Sequence, residues 1–317
     1  MQPPGVTVES PYLSFRRHEW AALASSTPLP LTEQDIARIK GIGDQISLAE
    51  VDAVYRPLSA LLSLHAHASH YLHDVRGMFL RDATERTPYV IGIAGSVAVG
   101  KSTVARLLVE LMARWPDTPQ VQLVPTDGFL YSNAELEARG LFDRKGFPES
   151  YRRADLLRFL SQVKGGAARV EAPSYSHLRY DIELDQTTVV TQPDILIVEG
   201  LNVLQAARTQ RRGANEVVVS DFFDFSIYLD AAEADIRRWY VERFLELRRT
   251  AFSSPESYFH RYASMPRAAA VDFAEHIWDT VNSPNLSDNI APTRSRADLI
   301  LRKGPDHLVE RILLRKT

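Results

Sequence analysis

Cysteine is missing from all 317 residues, which excludes disulfides, Cys-based zinc sites and a Cys nucleophile. No apolar run approaches the ~18 residues of a membrane-spanning helix. The opening Met1-Gln2-Pro3-Pro4-Gly5 lacks the basic start and apolar stretch of a signal peptide. An excess of either charge is missing too. Lys and Arg total 37 against 40 Asp and Glu, a formal charge of −3, which argues against a nucleic-acid partner held by a broad basic surface. What remains points to a cytoplasmic enzyme acting on small molecules, with no membrane and no nucleic acid among its partners. The length suits about two domains, or one large α/β domain with additions.

Thr32 reads as the N-cap of a helix to Lys40, and Ser47 with Glu50 reads as a capping box in which the Glu50 carboxylate reaches back. Pro57 marks a kink or a fresh start, after which a long helix runs to about Arg81. Residues 1–87 therefore read as an N-terminal helical extension and 88–317 as the core. From Tyr89 the pattern changes. Short apolar runs at 89–94, 121–124, 195–198, 222–229 and 298–301 read as buried strands. Helical patterns at 103–115, 153–164 and 232–249 lie between them. Leu308 to Lys316 suits a last strand or a short helix. The alternation predicts an α/β fold with a doubly wound, mostly parallel sheet.

Gly95-Ser96-Val97-Ala98-Val99-Gly100-Lys101-Ser102 matches G-x-x-x-x-G-K-[ST], with a strand before it and a helix after it. The glycines let backbone N–H groups close around phosphates, and the following helix N-terminus favours negative charge. Lys101 is placed for the β- and γ-phosphates and the Ser102 hydroxyl for Mg²⁺. Gly41-Ile42-Gly43 has no third glycine and no preceding strand, so it is no dinucleotide fingerprint. An Asn/Thr-Lys-x-Asp guanine-reading motif is also absent, which favours ATP.

Ligands of an open α/β sheet sit beyond the carboxyl ends of its strands. Three acids fall there: Asp127, Glu199 and Asp230. Asp127 is placed to take the proton of an acceptor hydroxyl, and Glu199 to hold the water shell of Mg²⁺. A turn or an N-cap uses the same residue types, and Asp230 reads as an N-cap. In the helix that follows, Tyr240, Arg243, Phe244 and Leu247 share a face, either reaching the site or forming a core stripe with an arginine at its edge. Phe252, Tyr258, Phe259 and Tyr262 are pocket wall or core. His65, His67, His70 and His73 drift around their helix rather than converge, so a metal site is disfavoured. His177 sits in the loop-like Pro173-Ser174-Tyr175-Ser176-His177-Leu178-Arg179-Tyr180. Arg208, Arg211 and Arg212 read as a solvated loop.

Taken together, these motifs resemble those of the bacterial type I pantothenate kinases. The phosphate loop through Thr103, Thr126-Asp127-Gly128-Phe129, the run from Lys145 to Tyr151, Tyr175-Ser176-His177, the run from Glu199 to Leu204 and Ser220-Asp221 all carry the likeness, which spans essentially the whole chain. The resemblance implies transfer of the ATP γ-phosphoryl group to the primary hydroxyl of pantothenate, giving 4′-phosphopantothenate and opening coenzyme A biosynthesis. It implies Asp127 as base, Lys101 and Ser102 on phosphates and Mg²⁺, and Arg243 on the transferring group. Tyr175, His177, Tyr240 and Asn282 would bind pantothenate, with Phe244, Phe252, Phe259 and Tyr262 as an apolar wall. Lys303 and His307 would lie near the adenine. Coenzyme A would inhibit through Arg106, Lys101 and His177, and a homodimer would form through the long helix near the start.

Two positions depart from the family pattern. Gly43 replaces an asparagine that helps hold adenine, and Leu247 replaces an aromatic of the acceptor pocket. Two other readings stay open on the residues alone. One is a uridine kinase or phosphoribulokinase-like enzyme, which would need a polar acceptor pocket. The other is a nucleotide-binding regulator without turnover, which would have no need of Asp127.

Overall fold

The apolar runs pair side by side because strands without a polar face need cover on both sides. The structure is a computed structural model that describes residues 10–41, 45–81, 86–207 and 217–316. In chain order its main elements are β1 (Tyr12–Arg16), α1 (Arg17–Ala22), α2 (Glu33–Ile39), α3 (Arg56–Leu80), β2 (Tyr89–Gly95), α4 (Lys101–Met112), β3 (Val121–Pro125) and α5 (Arg153–Lys164). Then come β4 (Val170–Ser176), β5 (Asp181–Val190), β6 (Ile195–Glu199), β7 (Phe225–Asp230), α6 (Glu233–Arg249), α7 (Arg267–Ile277), β8 (Leu299–Lys303) and β9 (Val309–Arg315).

One sheet has the order β1-β9-β8-β7-β2-β6-β3. Its five strands from β8 to β3 are mutually parallel, and β9 and β1 extend it antiparallel. In register, Tyr89–Ile93 face Ile195–Glu199 of β6, and Ile91–Gly95 face Phe225–Leu229 of β7. The phosphate loop and the ends of its neighbours therefore lie along one edge. Helix α4 holds that edge in place by burying Val104, Leu107, Leu108 and Leu111, each such side chain worth roughly 1.5–3 kcal/mol when fully buried. It starts at Lys101 rather than Thr103, because Gly100, at φ +95°, turns the chain straight into the helix.

The N-terminal residues are not all helical. Tyr12–Arg16 form an edge strand against β9, and Trp20, Ile36, Val54, Leu58 and Leu62 join the same core as the sheet. Thr32 caps α2 as its residue type predicts. Ser47 Oγ accepts the Glu50 N–H at 3.2 Å, but the Glu50 carboxylate does not reach back. It accepts the Val309 N–H at 2.9 Å and pairs with Arg17, since a buried carboxylate gains more from a cation than from a cap. A wide turn, Val51–Tyr55, precedes α3, and Pro57 sits in the first turn of that helix, where its missing N–H costs nothing. Leu308 to Lys316 resolves as strand β9.

The stretch around His177 is not a loop. Strands β4 and β5 form an antiparallel hairpin whose register shifts between Pro173 and Ser174. The shift spares Pro173 a ladder bond it cannot make, and the proline is what hides the strand in the sequence. This hairpin rests on the turn after β3, where a Cβ added to Gly128 would lie 1.9 Å from the Pro173 carbonyl oxygen. Gly128→Ala is therefore expected to lower stability by roughly 1–3 kcal/mol and to lower the thermal unfolding midpoint measured by circular dichroism. Unfolding at the wild-type temperature would contradict the packing.

Candidate active site

The phosphate loop leaves β2 through Gly95, whose φ of +145° and the Leu229 carbonyl oxygen, 2.7 Å from any added Cβ, leave no room for a side chain. Ala98, at φ +57°, is also left-handed. Lys101 Nζ donates to the Ser96 carbonyl at 2.9 Å, and Ser102 Oγ donates to Glu199 Oε1 at 2.9 Å. Ser96 Oγ is buried without a hydrogen-bond partner among the described residues. Burial pushes the Lys101 pKa down, opposed by the carboxylates of Glu199 and Asp127. Burial pushes Glu199 up, opposed by Lys101. The orphaned serine and the poised lysine fit a phosphate chain. The paired Ser102 and Glu199 oxygens are the hard donors a Mg²⁺ ion with part of its water shell prefers.

Asp127 stands in a single turn, Thr126–Phe129, directly after β3. Tyr151 donates its hydroxyl to Asp127 Oδ1 at 3.4 Å. The Asp127 charge acts on Lys101, Lys145, His177 and Glu199, so the loop and the hairpin meet at this carboxylate. His177 stands at the hairpin tip with its ring 5.2 Å from that of Tyr175. Burial lowers its pKa, opposed by Asp127 and reinforced by Arg243, Arg106 and Lys145, so a neutral imidazole faces the site at pH 7. Burial likewise raises the Tyr175 pKa, keeping it a phenol that can donate.

Lys145 belongs to this group, although nothing in its sequence neighbourhood assigns it a role by chemistry alone. Its Nζ donates to Asn133 Oδ1 at 2.6 Å and to the Tyr180 carbonyl, and lies 3.8 Å from the Tyr180 ring centroid. Burial pulls its pKa down to about 8. Tyr151 and Tyr180 were equally silent, because only the fold brings the 142–151 segment against the hairpin.

On the other side of the loop a cavity of about 40 Å³ is lined by Ile46, Glu50, Tyr55, Val99, Gly100, Val104, Trp239, Arg243, Lys303 and His307, among others. Lys303 Nζ donates to the Val99 carbonyl at 2.9 Å. Arg243 lines this cavity, and its charge reaches Lys101 and His177. Arg106 donates to the Ile39 carbonyl at 2.9 Å and to Thr103 Oγ1 at 3.4 Å. Glu110 pairs with Arg38 and Arg114 instead.

Phe244 and Phe252 centre a second apolar cluster, with Leu247, Phe259, Tyr262 and Phe273 packed on it and Tyr240 shared with the main core. Ring centroids are 5.4 Å apart for Phe244–Phe252 and 5.0 Å for Phe252–Phe259. Tyr180 joins this cluster to the hairpin, 4.8 Å from Phe259. Asn282 meets the Tyr240 hydroxyl, and its Nδ2 is buried without a hydrogen-bond partner among the described residues.

Other expectations fall away from the site. Asp230 is no N-cap: Ala232 takes that place, and Asp230 accepts from Arg294 at 2.8 Å and Arg302 at 2.9 Å, two guanidinium groups outcompeting one helix end. His65 packs 5.1 Å from Phe225, and His67 lies 3.6 Å from Asp117. The described residues hold no His, Asp and Glu group of metal-binding size. Gly43, Arg208, Arg211 and Arg212 lie outside the described residues.

A parallel sheet, a Gly-rich loop with its lysine, a carboxylate one strand away and an arginine from a later helix together define a P-loop kinase. The Phosphoribulokinase / Uridine kinase family model matches residues 90–243. The solved D-glycerate 3-kinase from Cryptococcus neoformans shares the fold at 11% identity, covering 80% of this chain and 97% of that one with a TM-score of 0.51. The chain is 58% identical over 307 residues to the pantothenate kinase of Clavibacter sepedonicus, covering 97% of this chain and 95% of the relative. It is 56% identical over 307 residues to that of Paenarthrobacter aurescens (strain TC1), with the same coverage. The chain belongs to the pantothenate kinase family and is an ATP-dependent kinase.

Lys101→Met is expected to abolish turnover and raise the ATP dissociation constant sharply, with an unchanged circular dichroism spectrum. Wild-type ATP affinity by calorimetry would remove Lys101 from the phosphate site.

Proposed function

We propose that this kinase transfers the γ-phosphoryl group of ATP, with Mg²⁺, to the primary hydroxyl of pantothenate. The product is 4′-phosphopantothenate, and the step opens coenzyme A biosynthesis in the cytoplasm. The observation that carries this reading is identity of 55–58% along 97% of the chain to relatives named pantothenate kinase. The site supports it independently. Its acceptor side is walled by Phe244, Phe252, Phe259 and Tyr262, which suits the gem-dimethyl and methylene parts of pantothenate better than a sugar or nucleoside. The orphaned Asn282 Nδ2 beside Tyr240 suits its carboxylate.

In this mechanism Tyr175 and His177 hold the acceptor chain by hydrogen bonds, and Asp127 accepts the proton of the attacking hydroxyl. Lys101 and Arg243 neutralise charge on the phosphoryl group as it moves. Ser102 and Glu199 would hold the Mg²⁺ ion, which when bound would supply positive charge against the phosphates. Catalysis is then positioning plus charge neutralisation. Asp127→Asn should keep ATP binding and lose roughly 10²-fold or more in kcat. Retention of most of the wild-type kcat would move the base role elsewhere. Phosphorus NMR of the wild-type product should show a phosphomonoester on the primary hydroxyl, and its absence would reject the reaction.

Coenzyme A inhibits by occupying the phosphate site, with Arg106, Lys101 and His177 as contacts. Arg106 spans from the end of α2 to the first turn of α4, near anions gathered at that helix start. ATP already has Lys101, the loop amides and Mg²⁺, so it depends less on one more cation. Arg106→Ala should raise the coenzyme A inhibition constant several-fold, while the ATP KM stays within about twofold, as loss of one charge-assisted contact allows. Equal shifts for both ligands would rule out this division. The chain works as a homodimer through α3, whose Leu72, Met78, Phe79 and Leu80 are exposed, an apolar surface that water alone does not favour.

A further inference from the structure

The nucleotide side of the site has a feature that neither phosphate binding nor acceptor binding uses. His307 sits in the turn between β8 and β9 at φ +67°, a left-handed conformation uncommon for residues other than glycine. Its N–H donates to the Gly304 carbonyl at 3.1 Å, which closes that turn. Its ring lies on the indole of Trp239 with centroids 4.1 Å apart and planes 23° from parallel. Both rings line the cavity that also holds Gly100, Lys303 and Arg243.

Trp239 is 2% exposed, and its Nε1 has no hydrogen-bond partner among the described residues. A buried, unpaired N–H is destabilising. A phenyl ring would fill much of the same space without that defect. The indole is therefore not explained by packing alone, and what it adds is a wider flat surface. It sits on α6 one turn before Arg243, so the same rigid helix carries the group behind the histidine and the arginine whose charge reaches Lys101.

We propose that Trp239 is a positioning residue for the purine of the nucleotide: it holds the His307 ring flat so that the opposite face forms the platform for the base. This rests on the proposed kinase function and on the expectation that Lys303 and His307, which line this cavity, lie near the adenine of ATP. The stack against Trp239 limits the tilt of the imidazole, and the left-handed turn fixes the point from which it projects.

The test separates the base from the phosphates. Dissociation constants are measured by calorimetry for Mg²⁺·ATP and for inorganic tripolyphosphate with Mg²⁺, which has the phosphates and no base. Trp239→Leu should weaken ATP roughly five- to tenfold, within what an aromatic pair supplies, and leave tripolyphosphate within twofold. Trp239→Phe keeps a ring in the core and decides the matter if the leucine variant does not fold. It should cost about twofold in the wild-type chain and nothing in the His307→Ala background. Parallel losses for ATP and tripolyphosphate, or the same cost of Trp239→Phe in both backgrounds, would overturn the proposal. If His307→Ala alone leaves ATP binding unchanged, the cavity is not the base site and the underlying reading fails. If His307→Ala weakens ATP while neither Trp239 variant does, only the role of Trp239 fails.

Discussion

Glu199 ends the strand beside the phosphate loop, and its carboxylate is almost wholly removed from water. An isolated charge there would cost several kcal/mol, so the loop is built around its compensation. Ser102 donates to it and Lys101 stands within its field. Lys101 in turn is tied back to the Ser96 carbonyl. The contacts that compensate a buried acid thus hold the loop in its shape. Gly95, wedged against the Leu229 carbonyl, fixes where that shape sits on the sheet.

Helix α6 organises the remaining chemistry by its period. Trp239 and Arg243 are one turn apart and line the cavity beside the phosphate loop. Tyr240 and Phe244 are likewise one turn apart, displaced by about 100°, and join the second aromatic cluster. One rigid element therefore spans the cavity beside the phosphate loop and the aromatic cluster. The hairpin closes the opposite side. Gly128 lets it approach the Asp127 turn, and Tyr180 ties its tip to Phe259. The spacing between that cavity, the Asp127 turn and the aromatic cluster is thereby set by α6 and the hairpin.

Much of this was legible in the sequence because it rests on local rules. The phosphate loop, the flanking parallel strands, the Thr32 cap and the acids at strand ends all follow from spacing and residue type. What was hidden depends on contacts made at a distance. Pro173 masked the hairpin because its bulge is visible only once β5 pairs with it. Glu50 looked like half of a capping box, yet its partners, Arg17 and Val309, lie at opposite ends of the chain. Asp230 offered the same ambiguity, and Arg294 and Arg302 resolve it. Lys145 falls in the run that resembles the family's, yet neither it nor Trp239 declares a role by spacing or residue type. The first gains its character from burial beside Asp127, the second from a ring sixty-eight residues away.

The central claim is that the carboxylate of Asp127 and the aromatic wall beyond it accept pantothenate rather than a sugar phosphate or a nucleoside. The most direct measurement is kcat/KM of the wild-type enzyme by ADP release, with Mg²⁺·ATP fixed and pantothenate, uridine and ribulose 5-phosphate compared side by side. The account predicts turnover with pantothenate and only background ADP release with the other two. Uridine or ribulose 5-phosphate turning over as well as pantothenate, or better, would contradict it.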